Sequence, residues 1–310
     1  MTRIYIDGSA GTTGLRIRER LAARTDLHLI EIDEALRKDP AARSECLNSA
    51  DVAFLCLPDA AAIESAAMVS NPSTVIIDTS TAHRTNDAWT YGFPELCGQR
   101  EKIAAAHKIA NPGCHASGFI ALVAPLVAQG LLSAQAKLSC LSLTGYSGGG
   151  KKMIAEYESD ETAAALAAPR MYGLSQQHKH LPEMAKVCGL AHAPVFCPTV
   201  ADYYAGMEVV VPLFAGDLRG SIDDVRALYR SCYANGLVSY SDADESGFLS
   251  AGALAGYDNM FVGVFGNEER IVLVSRFDNL GKGASGAAIQ NMNLVLGLDE
   301  RTGLNIYKED

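Results

Sequence analysis

The chain has 310 residues, 48% hydrophobic and 20% charged, enough for two domains, since single cores stop growing near ~250–300 residues. Its formal net charge of −10 argues against a nucleic-acid partner, which would call for a basic face. No apolar run approaches the ~20 residues of a membrane helix, and MTRIYIDGSAG lacks the order of a secretory signal. The expectation is a cytoplasmic protein with neither a nucleic-acid nor a membrane partner.

RIYID (3–7) reads as a strand, LRIRERLAAR (15–24) as a helix and LHLIEI (27–32) as a strand. Alanine-rich DAAAIESAAMV (59–69) is a helix between the strands DVAFLCL (51–57) and STVIID (73–78). This rhythm predicts a doubly wound α/β fold, and near-continuous apolar strands fit a parallel sheet buried on both faces. Beyond residue 113 the texture changes. SGFIALVAPLVAQGLL (117–132) suits a helix broken or kinked at Pro125 and ended near Gly130. Strands are expected at 137–145, 194–200, 207–214, 259–266 and 270–277, with helices at 151–166 and 221–234. Longer strands with fewer helices predict an α+β domain with a mixed or antiparallel sheet. GASGAAIQNMNLVLGL (283–298) is a glycine-opened helix that returns to the first domain. The expected division is a dinucleotide-binding domain over 1–112, completed by 284–310, and a catalytic and oligomerisation domain over 113–283.

Strand one runs into Asp7-Gly8-Ser9-Ala10-Gly11-Thr12-Thr13-Gly14, and a helix follows. Glycines there admit positive φ and close approach of backbone N–H groups to a phosphate, while the helix start adds positive potential. The spacing G-x-x-G-x-x-G is one residue off the common dinucleotide fingerprint, but its place after the first strand favours a dinucleotide. Gly8, Ser9, Gly11, Thr12, Thr13 and Gly14 are the expected cofactor-binding residues, with Gly283 at the opening of the last helix. Glu31 and Asp33 close strand two, where an acid would meet the ribose hydroxyls of NAD; Arg37 and Lys38 follow and suit a 2′-phosphate. The residues alone leave NAD and NADP open. A second loop, GYSGGGKK (145–152), matches G-x-x-x-x-G-K, but Lys152 stands where a nucleotide triphosphatase needs Ser or Thr for magnesium. That reading is rejected.

The eight cysteines include no C-x-x-C pair, and the loose set His178, His180, Cys188 and His192 matches no compact zinc spacing, so no metal is expected. Most of the thiols read as buried small hydrophobes, Cys56 most plainly. Cys114 differs. Pro112-Gly113 ends a strand, which places Cys114 in the first turn of the next helix, where unsatisfied N–H groups stabilise a thiolate. Ala116, Ser117 and Gly118 leave room for substrate. A nucleophilic thiol needs an acid/base partner. His28 and His107 read as structural strand residues, and His115 diverges from Cys114 by ~100° on a helix. His178 and His180, in a polar stretch before a helix, are better placed. Ser80 and Arg84 can hold a substrate phosphate or carboxylate, or can be ordinary loop residues; Asn111 can orient the nucleophile or the nicotinamide.

GSAGTTG, DTSTAHR, YGFPEL, NPGC, GYSGGGKKMIAEYE and HKHLPEM, in this order, together resemble the N-acetyl-γ-glutamyl-phosphate reductase family in its shorter form. The resemblance runs from residue 5 to Asn293. It implies NADPH-dependent reduction of a small acyl phosphate in arginine biosynthesis, with Cys114 as nucleophile, His180 as acid/base, His178 beside the substrate, and a homotetramer or homodimer. Two departures stand out: His115 where that family commonly has tyrosine, and the acids Glu31 and Asp33. The rival readings are an aspartate-semialdehyde dehydrogenase and a non-catalytic dinucleotide sensor.

Overall fold

The computed structural model describes residues 1–161 and 163–308. The chain divides into two compact units. The first comprises Met1–Pro94, Gly98–Pro112 and Ala284–Leu304. Its strands are β1 (Thr2–Asp7), β2 (Leu27–Ile30), β3 (Val52–Leu55), β4 (Val75–Asp78), β5 (Thr90–Tyr91) and β6 (Lys108–Ala110). They form a wholly parallel sheet in the order β2-β1-β3-β4-β6-β5. Alternation along each strand feeds two cores. Ile4, Phe54, Ile77 and Ile109 pack with Ile17, Ile289 and Met292 of the helices Thr12–Ala22 and Gly286–Val295. Tyr5, Ala53, Leu55 and Ile76 pack with Leu47 on the other side. Strand order reverses between β1 and β3, and a doubly wound sheet opens its ligand crevice at such a switch point, beyond the carboxyl ends.

Two helices here lie outside the expected elements, Gln99–Ala104 and Pro40–Ser49. Pro40–Ser49 buries only Leu47 and so shows no apolar stripe; it is specified by its cap, where Asp39 accepts from the Ala42 N–H at 2.8 Å and Pro40 takes the first turn.

The second unit comprises 95–97, 113–283 and 305–308. Its strands are β7 (Ser139–Gly145), β8 (Arg170–Met171), β9 (Val195–Ala201), β10 (Met207–Phe214), β11 (Val238–Tyr240), β12 (Met260–Gly266) and β13 (Arg270–Phe277). The sheet runs β11-β12-β13-β10-β7-β9-β8. It is mixed: β7–β9 and β11–β12 are parallel, the remaining pairs antiparallel. Along β10 burial alternates, and the buried face meets the helix Cys114–Ala128.

That helix continues through Pro125 to Ala128, so of the break or kink expected there the break does not occur. A proline removes the N–H that would bond the carbonyl four residues back, here that of Ala121. The Tyr233 hydroxyl donates to the Ala121 oxygen at 2.6 Å, and Tyr229 donates to the neighbouring Leu122 carbonyl. A tertiary donor, Tyr233, thus replaces the missing ladder bond. The single helix expected at 151–166 is two, Gly150–Tyr157 and Ala163–Leu166; Thr162, inside the expected span, lies outside the described residues.

Candidate active site

In the first unit, Gly8 takes φ +88° where β1 ends, and the Gly11 N–H donates to the Gly8 carbonyl at 3.0 Å. A Cβ on Gly8 would sit 2.3 Å from the Cys56 oxygen, and one on Gly14 would sit 2.5 Å from the Gly8 oxygen. Side chains are therefore excluded twice, leaving backbone and the start of the Thr12–Ala22 helix to face a ligand. Ser9, Thr12 and Thr13 are half-buried on the same turn. Next to it lies a cavity of about 490 Å³ lined by Gly8, Ser9, Arg18, Glu31, Lys38 and Arg43, among others. Its floor is fixed by buried Asp7, which accepts from Arg43 at 2.8 Å and from Ser65 at 2.6 Å. Arg18 pairs with Glu31 at 2.7 Å, and Arg37 with Glu34 at 2.8 Å. Glycine cradle, helix start and the adjoining cavity fit a dinucleotide.

Ser80, Arg84 and Asn111 belong to the same unit, at the carboxyl ends of β4 and β6. The Ser80 hydroxyl donates to buried Asp78 at 2.7 Å, and Asp78 also contacts His83 Nδ1 at 2.6 Å. Arg84 donates to the Asn111 and Thr79 carbonyls, each at 2.9 Å. Asn111 donates to the Ala284 carbonyl and accepts from Asn291, both at 3.1 Å. Serine and arginine thus brace the two strand ends, and Asn111 ties one of them to the last helix.

In the second unit, Cys114 is the first residue of its helix and is half-buried. Gly113 is the N-cap, and its N–H donates to Glu183 Oε1 at 2.9 Å, a carboxylate only 1% exposed. Glu183 lies on the helix Leu181–Cys188, whose N-cap is His180. One hydrogen bond therefore joins the element that starts at the thiol to the element that starts at the histidine. On another side is the π-helical turn Gly281–Ser285: a Cβ on Gly283 would fall 2.9 Å from the Cys114 Cβ. This turn is anchored by a fully buried ion pair in which Lys282 Nζ reaches both Glu95 oxygens at 2.8 Å.

Around this point the rings gather. His178 and His180 have centroids 4.8 Å apart, and each lies 5.6 Å from the buried ring of His115. His178 Nδ1 accepts from the His180 N–H at 3.2 Å, and burial together with Lys179 lowers the His178 pKa. His115 does not turn to the sulfur. It holds Ser142 Oγ at Nδ1 and Tyr172 Oη at Nε2, both at 2.7 Å. Burial, helped by His178 and Lys179, brings its pKa down to about 3. Tyr172, Ser142 and Glu183 carried no local signal in the sequence, because strand pairing and helix packing bring them here.

Two further expectations are corrected. His28 and His107 are exposed and not structural. Among the cysteines only Cys140 and Cys188 are buried; Cys56 is half-buried, though desolvation pushes its thiol up to about 12, and Cys97 and Cys232 are exposed. None of the eight forms a disulfide.

Residues 4–106 match the semialdehyde dehydrogenase NAD-binding domain, and residues 114–279 match the semialdehyde dehydrogenase dimerisation domain. Fold and site thus define a dinucleotide-binding reductase of the semialdehyde dehydrogenase class. N-acetyl-gamma-glutamyl-phosphate reductase of Brucella ovis is 48% identical over 306 residues, covering 95% of this chain and 99% of its own. N-acetyl-gamma-glutamyl-phosphate reductase 2 of a Nostoc species is 44% identical over 318 residues, covering 97% and 99%. At such identity over nearly the full length, the chain belongs to the N-acetyl-gamma-glutamyl-phosphate reductase family. Among solved structures, aspartate semialdehyde dehydrogenase II of Vibrio cholerae complexed with ASA superposes with a TM-score of 0.70 at 16% identity, covering 96% of this chain and 98% of that one. Aspartate semialdehyde dehydrogenase of Francisella tularensis gives 0.72 at 13%, covering 96% and 100%. These share the fold.

Proposed function

We propose that this chain reduces N-acetyl-L-glutamyl 5-phosphate to N-acetyl-L-glutamate 5-semialdehyde with release of phosphate, as a cytoplasmic enzyme of arginine biosynthesis. The observation that carries the chemistry is Cys114 at a helix start, tied through Gly113 and Glu183 to the helix that His180 caps. The helix N-terminus favours negative sulfur. Thiolate Cys114 attacks the acyl carbon; the C–S bond forms, the C–O bond to phosphate breaks, and a thioester remains on the protein. A nicotinamide cofactor held by the glycine turn would supply the hydride that this carbon accepts. His180 gives a proton to the oxygen as tetrahedral charge forms and takes it back as the C–S bond breaks, which regenerates the thiolate. His178, in ring contact with His180, orients it and faces the substrate.

NADP is the favoured cofactor. The cavity beside Gly8 carries four cations, Arg18, Arg37, Lys38 and Arg43, against the three carboxylates Asp7, Glu31 and Glu34. Gly8, Ser9, Gly11, Thr12, Thr13 and Gly14 would hold its pyrophosphate. No metal enters this scheme. A homodimer or homotetramer is supported by exposed apolar residues on neighbouring strands, Leu141 at 42%, Met171 at 53% and Val195 at 58%. The deciding assay follows phosphate-dependent nicotinamide reduction with N-acetylglutamate semialdehyde and with aspartate semialdehyde, each with NADP and NAD. Turnover of the acetylated aldehyde with NADP is expected; turnover of aspartate semialdehyde alone overturns the proposal.

A further inference from the structure

Lys282 and Glu95 form an ion pair in which both side chains are 0% exposed, and stability does not account for it. Taking two charges out of water costs about as much as their attraction returns, and apolar residues of like volume often serve as well. What the pair adds is direction. Nζ lies 2.8 Å from each Glu95 oxygen, which holds the ammonium between them. The carboxylate is held in turn, because Oε1 also accepts from the Leu237 N–H at 3.3 Å, where the chain enters β11.

The backbone of Lys282 lies in the π-helical turn Gly281–Ser285. Single π turns are rare and occur mostly at functional sites. This one is tied at its start to Asp278, whose carbonyl accepts from the Gly281 N–H at 3.1 Å and from the Gly283 N–H at 3.0 Å. The buried Asp278 carboxylate accepts from the Gly256 and Leu280 N–H groups, each at 2.7 Å. A Cβ on Gly281 would lie 2.1 Å from the Tyr257 oxygen, so the turn has no room to settle on that side. Next to Lys282 is Gly283, whose missing Cβ would fall 2.9 Å from the Cys114 Cβ. The turn is therefore a wall against the thiol-bearing residue, and the ion pair fastens that wall.

We propose that Lys282 and Glu95 are positioning residues that act through Gly283 to seat Cys114 where its sulfur meets the acyl carbon. The inference rests on the reading of Cys114 as nucleophile. A pair that only supports the fold and a pair that positions differ in one respect. Apolar residues can restore stability, but they cannot restore the direction that two charges impose.

The test compares full-length wild type, Lys282→Met and Lys282→Met/Glu95→Leu at a temperature where circular dichroism shows each folded. It reads the urea midpoint, kcat and KM with N-acetylglutamate semialdehyde, and the rate of iodoacetamide alkylation at Cys114 by peptide mapping. The double variant should regain most of the midpoint that Lys282→Met loses. Its kcat should stay about tenfold below wild type with KM within about twofold, since a misplacement of ~1 Å costs on the order of 100-fold and the loosened wall yields about half of that. Its Cys114 alkylation rate should depart from wild type as well, because the place of the sulfur at the helix start sets its ionisation. Wild-type kcat and alkylation in the double variant would overturn the inference and leave the nucleophile in place. A kcat that falls only as far as the midpoint falls, in both variants, would overturn it too, because the loss would then follow the fold. Turnover that survives in Cys114→Ser would overturn the reading on which the inference rests.

Discussion

Gly283→Ala is the most informative single substitution. Its added methyl carbon would lie 2.9 Å from the Cys114 Cβ, 3.1 Å from the Asp278 carbonyl oxygen and 3.3 Å from Phe277 Cε2, where ordinary contact begins at 3.4 Å. Two of those neighbours are a backbone oxygen and an aromatic ring of the core, so the thiol-bearing residue must yield, by about half an ångström. Overpacking of this kind costs ~1–3 kcal/mol, which leaves the protein folded at room temperature. Catalysis is less tolerant: a misplacement of ~1 Å costs on the order of 100-fold, so half of that suggests roughly a tenfold loss of kcat. The assay combines steady-state kinetics with the rate of Cys114 alkylation and a titration of nucleotide affinity. Loss of kcat and altered thiol reactivity, with nucleotide Kd within about twofold, is the expected pattern. Weakened nucleotide binding with Cys114 reactivity intact would refute the reasoning and favour Gly283 as a cofactor-binding residue.

Gly14→Ala places a carbon 2.5 Å from the Gly8 oxygen and 3.0 Å from the Ser9 Cα; nucleotide affinity, followed by fluorescence titration, should fall at least about tenfold because the anion-cradling turn must open, and unchanged affinity would contradict the cradle. Lys282→Met leaves Glu95 buried without its cation, so the melting temperature should drop by the equivalent of ~3–5 kcal/mol, with much of it restored when Glu95 is also made apolar; equal losses in single and double variants would tell against this. Acid should destabilise the fold through His115. Between its ordinary 6.5 and its folded value of about 3, the unfolded chain binds a proton that the native chain does not. Stability therefore falls as pH drops through that window, by roughly 4–5 kcal/mol at its lower end. Urea midpoints should lose less on acidification in His115→Gln than in wild type; parallel slopes would contradict this.

Much of the fold is legible in the residues, for reasons the structure makes plain. A strand buried on both faces, such as Val52–Leu55, has to be apolar at every position, and one buried on one face, such as β10, has to alternate. The helix Pro40–Ser49 escapes notice because burial of one leucine leaves no period to detect. Pro125 does not break the helix because the hydroxyl that fills its gap comes from Tyr233, more than a hundred residues away. The site divides in the same way. Cys114 announces itself through the local chemistry of Pro-Gly before a helix. The ~100° rule turns His115 away from Cys114; what it turns toward, Ser142 on β7 and Tyr172 beside β8, is a product of sheet pairing that no local pattern encodes. The tie of Arg84 to the Asn111 carbonyl is equally non-local, since it needs β4 and β6 side by side, whereas Ser80 meets Asp78 only two residues away.

Covalent capture of the acyl group by Cys114 is the decisive step. Full-length protein mixed with the acyl phosphate in the absence of nucleotide, quenched in acid and mapped by peptide mass spectrometry, should carry the acyl group on Cys114, release one phosphate per adduct, and show neither in Cys114→Ser. Turnover that persists in Cys114→Ser, or an adduct on any other residue of the wild type, would contradict it.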